Sequence, residues 1–217
     1  MIELYNTNLL DLSLELVLLP QQLRLGCSSN HAKGELMKLI ERDRLVALLI
    51  DVQEKLVPAM AQGEVLLNNC EKLLSGLERL NIPLLISEQY PKGLGSTHVN
   101  LAKFKSRATV IEKTCFSCME NPDFVQALKN SGKKQVLIFG IETHVCLLQT
   151  VFQLLENGYE VFVACEAVSS RSEKNRDLAL SRMTQSGAQM VTTESVFFEI
   201  LRNTSATEFK DISKLVR

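Results

Sequence analysis

The stretch that decides the fold reads Val136-Leu-Ile-Phe-Gly140-Ile141-Glu142-Thr143-His144-Val145-Cys146 and continues to Thr150. Its first four residues are apolar and mostly β-favouring, which is typical of a strand buried on both faces. Gly140 interrupts this run, and from Val145 onward apolar residues recur three or four positions apart, as in a helix. The sequence therefore predicts a strand, a sharp turn and a helix, with Cys146 in the first helical turn.

The position of Cys146 favours thiol reactivity. The first turn of a helix has N–H groups without backbone acceptors and carries the positive end of the helix dipole. Both features favour the thiolate form of a cysteine, and the same N–H groups can stabilise an oxyanion. The stretch therefore makes Cys146 a candidate nucleophile. From this stretch alone, a purely structural role for a small, buried cysteine is the preferred interpretation.

The composition is that of a globular domain. The chain has 217 residues, 46 % of them hydrophobic, with no tryptophan and a net charge of −1. This length suits one α/β domain with a buried core. The near-neutral charge gives no electrostatic reason to expect nucleic acid or a membrane as partner, and no apolar run reaches the length of a membrane span. Six irregularly spaced cysteines do not suggest a disulfide framework, so we expect a reducing, cytoplasmic environment.

Residues 1–44 are predicted to form an N-terminal extension, to which the sequence assigns no function, and residues 45–217 the main domain. The extension has a leucine-rich stretch from Leu9 to Leu19 that also contains Asp11 and Glu15. Acidic residues and the lack of a basic start argue against a secretory or transit signal.

Apolar runs and helical patterns alternate along the rest of the chain. Besides the run at Val136, five stretches predict strands: Leu45–Ile50, Leu84–Ser87, Thr109–Ile111, Tyr159–Ala164 and Gln189–Thr192. Helices are predicted at 64–80, 121–132, from Val145, 170–187, from 193 or 194, and after 205. Strands that alternate with helices predict right-handed crossovers and a parallel sheet covered on both faces.

Three chemically distinct side chains lie at strand ends. Asp51 ends the first strand, Lys113 follows the third and Cys146 follows the fourth. Ligands of such sheets bind beyond the carboxyl ends of the strands, so we expect these side chains to meet there. The carboxylate would accept the thiol proton, and the ammonium would stabilise the anionic states. Taken singly, a capped Asp51 and a solvated Lys113 remain alternatives.

Other candidate motifs are less specific. Cys115-Phe-Ser-Cys118 has C-x-x-C spacing, but a single pair without a second pair is weak evidence for zinc, and an incidental role is preferred. The three histidines show no metal-ligand spacing. Arg171 is either an anchor for a substrate carboxylate or a first-turn residue of a helix capped by Ser170 and Glu173, and the second interpretation is preferred.

Three motifs occur in this order: Ile50-Asp51-Val52-Gln53, Glu112-Lys113-Thr114 and Gly140-Ile141-Glu142-Thr143-His144-Val145-Cys146. Together they resemble the isochorismatase-like cysteine hydrolases, a family that includes the nicotinamidases. The resemblance covers about Leu45 to the C-terminus. Two further phrases, at 87–97 and 169–172, are most similar to the branch of isochorismatase domain-containing proteins.

The resemblance implies an α/β fold: a three-layer α/β/α sandwich with a six-stranded, mainly parallel sheet of Rossmann-like topology. It implies a catalytic triad of Cys146 as nucleophile, Asp51 as general base and Lys113 as electrostatic partner. It also implies a cis peptide bond between Ile141 and Glu142, with an oxyanion hole from the N–H groups of Glu142 and Cys146. The thiolate would attack a carbonyl carbon and form a thioester that water then hydrolyses.

The resemblance also bears on substrate and cofactors. Nicotinamidases bind a metal through aspartate and histidines near the second strand, whereas residues 87–91 contain no histidine here. We therefore expect no metal and no other cofactor. A nucleophilic Cys146 argues against isochorismate as the substrate. Candidate substrate-binding residues are Gln53, Tyr90, Phe116 and Arg171.

The sequence thus predicts a homo-oligomeric, metal-independent cysteine hydrolase of a small amide or related C–N substrate. One alternative is a catalytically silent binding or scaffold protein that has kept the fold. A second alternative is a thiol redox sensor that uses Cys146 together with Cys115 or Cys118.

Overall fold

Six strands form one sheet in which every neighbouring pair is parallel. The computed structural model describes residues 38–217, and the strand order is β3-β2-β1-β4-β5-β6. The strands are β1 (Leu45–Ile50), β2 (Leu84–Gln89), β3 (Ala108–Lys113), β4 (Gln135–Gly140), β5 (Glu160–Val168) and β6 (Gln189–Val191). This is the order of a doubly wound Rossmann-type sheet, with its topological switch between β1 and β4. The predicted fold class is confirmed, and the sheet is entirely rather than mainly parallel.

The burial of the two central strands explains why they appear in the sequence as apolar runs. All residues of β1 and β4 are buried, as expected for strands covered by helices on both faces. The edge strand β3 is only partly buried. Hydrophobicity therefore identifies β1 and all but the two end residues of β4, and it under-predicts the edge strand β3.

Seven α-helices complete the three layers in the described part of the chain. They are α1 (Gly63–Arg79), α2 (Pro91–Leu94), α3 (Pro122–Asn130), α4 (Leu148–Glu156), α5 (Glu173–Gln185), α6 (Thr193–Leu201) and α7 (Phe209–Leu215). Helix α1 packs with α6 and α7, and α4 packs with α5. Across residues 38–217, no helix is both long and apolar enough to cross a bilayer.

Strands β2, β3 and β5 extend beyond their predicted ends, and β5 continues from the predicted end at Ala164 to Val168. Strand β2 continues to Gln89 and β3 to Lys113, because backbone pairing joins Glu88 to Glu112 and Gln89 to Lys113. The alternation of hydrophobic residues stops earlier than the hydrogen bonding does. Lys113 is therefore the last residue of β3 and does not lie in the loop beyond it.

The predicted cap of α5 is wrong. The helix begins at Glu173 after Ser172, and the Ser172 side chain makes no capping hydrogen bond. The hydroxyl of Ser170 instead shares a hydrogen bond of 3.0 Å with Nδ1 of His144. The serine stabilises the segment after β4, which the spacing of Ser170 and Glu173 alone could not reveal.

Residues just before the predicted domain boundary at residue 45 pack with the main domain. The compact unit extends from Leu39 to Arg217. Ile40 is fully buried in its core, and its N–H donates to the Glu199 carboxylate at 2.9 Å. The interpretation of residues 1–44 as an extension lies, up to Met37, outside the described residues.

Candidate active site

A buried ion pair lies at the carboxyl edge of the sheet. Asp51 follows β1 and Lys113 ends β3; Oδ2 and Nζ are 2.7 Å apart, and both side chains are 1 % exposed. Burial alone would lower the pKa of Lys113, but the charge of Asp51, with a smaller contribution from the nearby thiols, outweighs burial and raises it. Lys113 is therefore an ammonium ion. Burying two charges costs desolvation energy, so such a pair is a better indicator of function than of stability.

Neighbouring groups hold both oxygens of the Asp51 carboxylate. Ser87 Oγ donates to Oδ1 at 2.7 Å, while Lys113 donates to Oδ2. Asp51 also has a φ of 51°, a left-handed conformation that is uncommon for non-glycine residues and concentrates at functional sites. Nothing in the sequence distinguishes Ser87 from other serines at strand ends. The register that pairs Ile50 with Ser87 is what identifies it.

Gln89 is a second site residue that the sequence did not reveal. Its Oε1 accepts from Lys113 Nζ at 2.6 Å, and its Nε2 donates to the carbonyl of Thr114 at 2.8 Å. The carbonyls of Cys115 and Phe116 also face Nζ, at 3.3 and 3.2 Å. These acceptors and Asp51 fix the position of the ammonium group.

Cys146 lies beside this ion pair in a π-helical turn, Thr143–Leu147, that continues into α4. The residue is 7 % exposed. Burial raises the pKa of its thiol, and the charge of Asp51 raises it further, whereas Lys113 lowers it without offsetting the other two effects. The net effect favours the thiol form over the thiolate. This corrects the sequence interpretation, in which the helix N-terminus alone would favour the thiolate.

The position of this turn depends on a close approach between β4 and β1. Gly140 has a φ of 118°, and a Cβ atom there would lie 2.2 Å from the carbonyl oxygen of Ile50. The next N–H, of Ile141, donates to that same oxygen at 2.9 Å. A side chain at position 140 would push the turn away from Asp51. The peptide bond between Ile141 and Glu142 is cis.

A second buried thiol lies near Cys146. The N–H of Cys118 donates to Thr150 Oγ1 at 3.0 Å, and that hydroxyl donates to the carbonyl of Cys146 at 2.6 Å. Burial raises the pKa of Cys118 to about 12, an effect that Lys113 reduces. Both Cys115 and Cys118 are free thiols. The C-x-x-C spacing thus places one thiol inside the site and leaves the other half-buried.

The candidate substrate-binding residues differ in burial and in whether their side chains are already hydrogen-bonded within the protein. Gln53 is fully buried, and its amide binds the loop after β2: Nε2 donates to the carbonyls of Gln89 (3.0 Å) and Gly95 (2.6 Å). Tyr90 and Phe116 are 55 % and 54 % exposed, on the segments that follow β2 and β3. Gln53 therefore positions the loop, whereas the two aromatic rings remain available for contact.

Arg171 does not belong to α5, contrary to the preferred sequence interpretation. Its backbone N–H donates to Oε2 of Glu142 at 3.0 Å, and its Nε lies 3.2 Å from both oxygens of that carboxylate. A substrate carboxylate would have to compete with Glu142 for this guanidinium.

The chemistry at the end of β2 differs from that of a metal site. One oxygen of Glu88 accepts four hydrogen bonds, from the N–H and hydroxyl of Thr97, the hydroxyl of Ser96 and the ammonium of Lys105. Among residues 38–217, no three or more His, Cys, Asp or Glu side chains converge to hold a metal ion. The absence of a metal stays a prediction.

Known proteins resemble this chain over most of its length. Isochorismatase domain-containing protein 2 of Danio rerio is 41 % identical over 172 residues, which cover 79 % of this chain and 86 % of that protein. The MAR1 ribonuclease of Caenorhabditis elegans has a similar structure, with 33 % identity, a TM-score of 0.75 and coverage of 82 % and 92 % of the two chains. The YcaC gene product of Escherichia coli, an octameric hydrolase of unknown specificity, is 27 % identical with a TM-score of 0.78, over 82 % of this chain and 89 % of that one.

The family model for the isochorismatase domain matches residues 46–195, from the second residue of β1 into α6. The match includes the ends of β1, β3 and β4, where Asp51, Lys113 and Cys146 lie. The chain belongs to the isochorismatase family.

Proposed function

We propose that this protein is a metal-independent cysteine hydrolase that cleaves a small amide or related C–N bond through a thioester. Membership of the isochorismatase family supports hydrolase-type chemistry. The observation that carries the proposal is the buried Asp51–Lys113 pair at the same sheet edge as Cys146. An acid–base group, a fixed cation and a thiol are the components that nucleophilic acyl transfer requires.

Asp51 is the general base of the first step. Because the pKa of Cys146 is raised, the thiolate is formed during attack and is not stored beforehand. Asp51 accepts the thiol proton as the sulfur bonds to the substrate carbonyl carbon. Lys113 pairs with the Asp51 carboxylate at 2.7 Å, and Ser87 and Gln89 hold the two charged groups in place.

The oxyanion that forms at the substrate carbonyl is stabilised by the N–H groups of Glu142 and Cys146. Within the described residues, the N–H of Glu142 donates no hydrogen bond to another protein atom, so it is available to a substrate. As the tetrahedral intermediate collapses, the C–N bond breaks, and the nitrogen takes the proton from Asp51 and leaves as ammonia or an amine. Asp51 then activates water, which attacks the thioester carbon, releases the acid and restores the Cys146 thiol.

Tyr90 and Phe116 are the proposed walls of the entrance. Both residues lie close along the chain to a contact of Lys113. Tyr90 directly follows Gln89, whose side chain accepts from Nζ, and the carbonyl of Phe116 itself accepts from Nζ. Their exposed rings offer flat apolar faces to a substrate. Gln53 acts behind them as the residue that fixes the loop.

A small molecule fits the charges of this site better than nucleic acid does. One structural neighbour is named a ribonuclease. Binding to nucleic acid depends on cations that neutralise phosphates, but here Lys113 and Arg171 are each paired with a carboxylate. The octameric state of the Escherichia coli neighbour supports a homo-oligomer. The cytoplasmic location stays a prediction.

The test is a screen of small primary and secondary amides for release of ammonia or amine. Intact mass of the quenched protein reports an acyl group, and peptide mapping locates it. The proposal predicts turnover of at least one amide and an adduct on Cys146, with both lost in Cys146→Ala. Turnover that survives in Cys146→Ala would contradict it, and so would the absence of any acyl adduct with a panel that includes activated esters.

A further inference from the structure

The segment after β5, residues 169–171, is hydrogen-bonded to the turn that contains Cys146. The carbonyl of Ser169 accepts from both the N–H (2.9 Å) and the hydroxyl (2.8 Å) of Thr143. The hydroxyl of Ser170 is 3.0 Å from Nδ1 of His144. Arg171 binds the carboxylate of Glu142 through its backbone N–H and its Nε. Three consecutive residues of one segment thus hold three consecutive residues of the other.

Residues 169–171 are themselves hydrogen-bonded to the end of β4 and to the segment before α1. The N–H of Ser169 donates to the carbonyl of Gly140 at 3.4 Å, and the carbonyl of Ser170 accepts from the N–H of Ala61 at 3.1 Å. Both serines are buried. The turn is therefore held by a buried segment that is itself hydrogen-bonded to two other parts of the domain.

The Glu142–Arg171 contact differs from an ordinary surface ion pair. The Glu142 side chain is 13 % exposed, while Arg171 is 66 % exposed and covers it. An exposed pair of long side chains usually contributes little to stability. This pair includes a backbone N–H, whose position is set by the chain and costs no side-chain entropy. We expect this contact to orient the Glu142 side chain.

We infer that Arg171 is a positioning residue that acts through the Glu142 carboxylate to orient the oxyanion donors of the site. The inference rests on the proposed function, in which the Glu142 N–H stabilises the oxyanion. The residue that follows this donor, Thr143, is fixed by Ser169, and the Glu142 side chain is fixed by Arg171. In this inference Arg171 acts on the reacting atoms only through Glu142, and not as the anchor of a substrate carboxylate.

Two reactions of Cys146 separate orientation of the oxyanion donors from reactivity of the sulfur. With iodoacetamide, the sulfur bonds to the CH2 carbon and iodide leaves, so no oxyanion forms. With p-nitrophenyl acetate, the sulfur bonds to the acetyl carbon, an oxyanion forms, and p-nitrophenolate leaves with the electron pair. Both reactions use the same Cys146 sulfur and the same proton acceptor, Asp51, so an effect on removal of the thiol proton cancels in the ratio of acylation to alkylation rate constants. That ratio reports the oxyanion donors.

The experiment measures this ratio in the full-length parent, Arg171→Ala, Glu142→Gln, the double variant and Arg176→Ala. Arg176 is a matched control, because it is a nearby arginine paired with its neighbour Asp177. Cys146→Ala gives the background for each reagent. We expect the ratio to fall about tenfold in Arg171→Ala, less than the roughly hundredfold or greater loss when an oxyanion donor is deleted. Glu142→Gln should fall similarly, and Arg176→Ala should stay within about twofold.

The double variant decides whether Arg171 acts through Glu142. Residues that act as one unit are not additive, so the double variant should lose no more than the worse single variant. An unchanged ratio in Arg171→Ala overturns the inference, as does an equal loss in Arg176→Ala or a double variant whose losses multiply. A parent protein whose acylation rate equals that of Cys146→Ala would instead overturn the proposed function itself.

Discussion

Lys113 Nζ lies 2.7 Å from Asp51 Oδ2, and neither side chain reaches solvent to a significant extent. This pair joins the end of β3 to the end of β1 across the intervening strand β2. It is surrounded by the hydroxyl of Ser87, the amide of Gln89 and the thiol of Cys146. A fully satisfied charged cluster at the carboxyl edge of a parallel sheet is the central feature of this molecule.

Removing one partner of this pair should destabilise the protein strongly. We expect Lys113→Met to lower the free energy of unfolding by about 3–5 kcal/mol, because it leaves the Asp51 carboxylate buried without a counter-charge. The double variant Asp51→Asn/Lys113→Met should recover much of this loss. Urea unfolding followed by circular dichroism measures both. A single-variant loss below about 1 kcal/mol would mean that solvent reaches the pair.

Glu88 should make stability fall in acid. Burial of this carboxyl raises its pKa, but hydrogen bonds from Lys105, Thr97 and Ser96 outweigh burial and lower the pKa to about 2. A folded pKa below the unfolded value gives stability that is present above about pH 4.5 and is lost as the pH falls toward 2. Urea unfolding of the parent and of Glu88→Gln at several pH values measures this contribution. The difference between them should be constant above pH 5 and shrink below about 4.5; a constant difference down to pH 2 would contradict the assignment.

Gly140→Ala should be more damaging than glycine substitution elsewhere. Gly187 is the matched control: its φ is 102°, similar to the 118° of Gly140, but a Cβ there would meet nothing within 4 Å. Both substitutions carry the strain of a positive φ, about 1–2 kcal/mol, and only Gly140→Ala adds a collision with Ile50. Thermal unfolding of the two variants separates these effects. Equal losses of stability would show that the β1–β4 contact can relax.

The sequence was informative where one residue type or one apolar run carried the signal. The central strands β1 and β4 could be predicted from their unbroken hydrophobicity, and Asp51, Lys113 and Cys146 from their places at strand ends. Ser87 and Gln89 could not, because their roles depend on the register between strands. The extent of β3 was missed because an edge strand keeps its hydrogen bonding without a continuous apolar pattern.

The electrostatic state of Cys146 also lay beyond the sequence. A cysteine at the start of a helix suggests a lowered thiol pKa, but burial and the charge of Asp51 reverse the direction. Similarly, Ser170 and Arg171 have the spacing of a helix start, yet both bind the turn after β4. In each case a contact between residues distant in the sequence outweighed a local preference.

The most direct test of the central claim is the pH dependence of iodoacetamide alkylation at Cys146, in the parent and in Asp51→Asn. Peptide mass spectrometry follows Cys146 separately from the other cysteines. We predict an apparent pKa in the parent above the ordinary thiol value of about 8.5, and a lower apparent pKa in Asp51→Asn, because the substitution removes a negative charge beside the thiol. The same variant should lose amide turnover, because it has no base to carry the proton. An apparent pKa that is unchanged or higher in Asp51→Asn would show that the carboxylate does not act on the Cys146 thiol, and the proposed triad would be wrong.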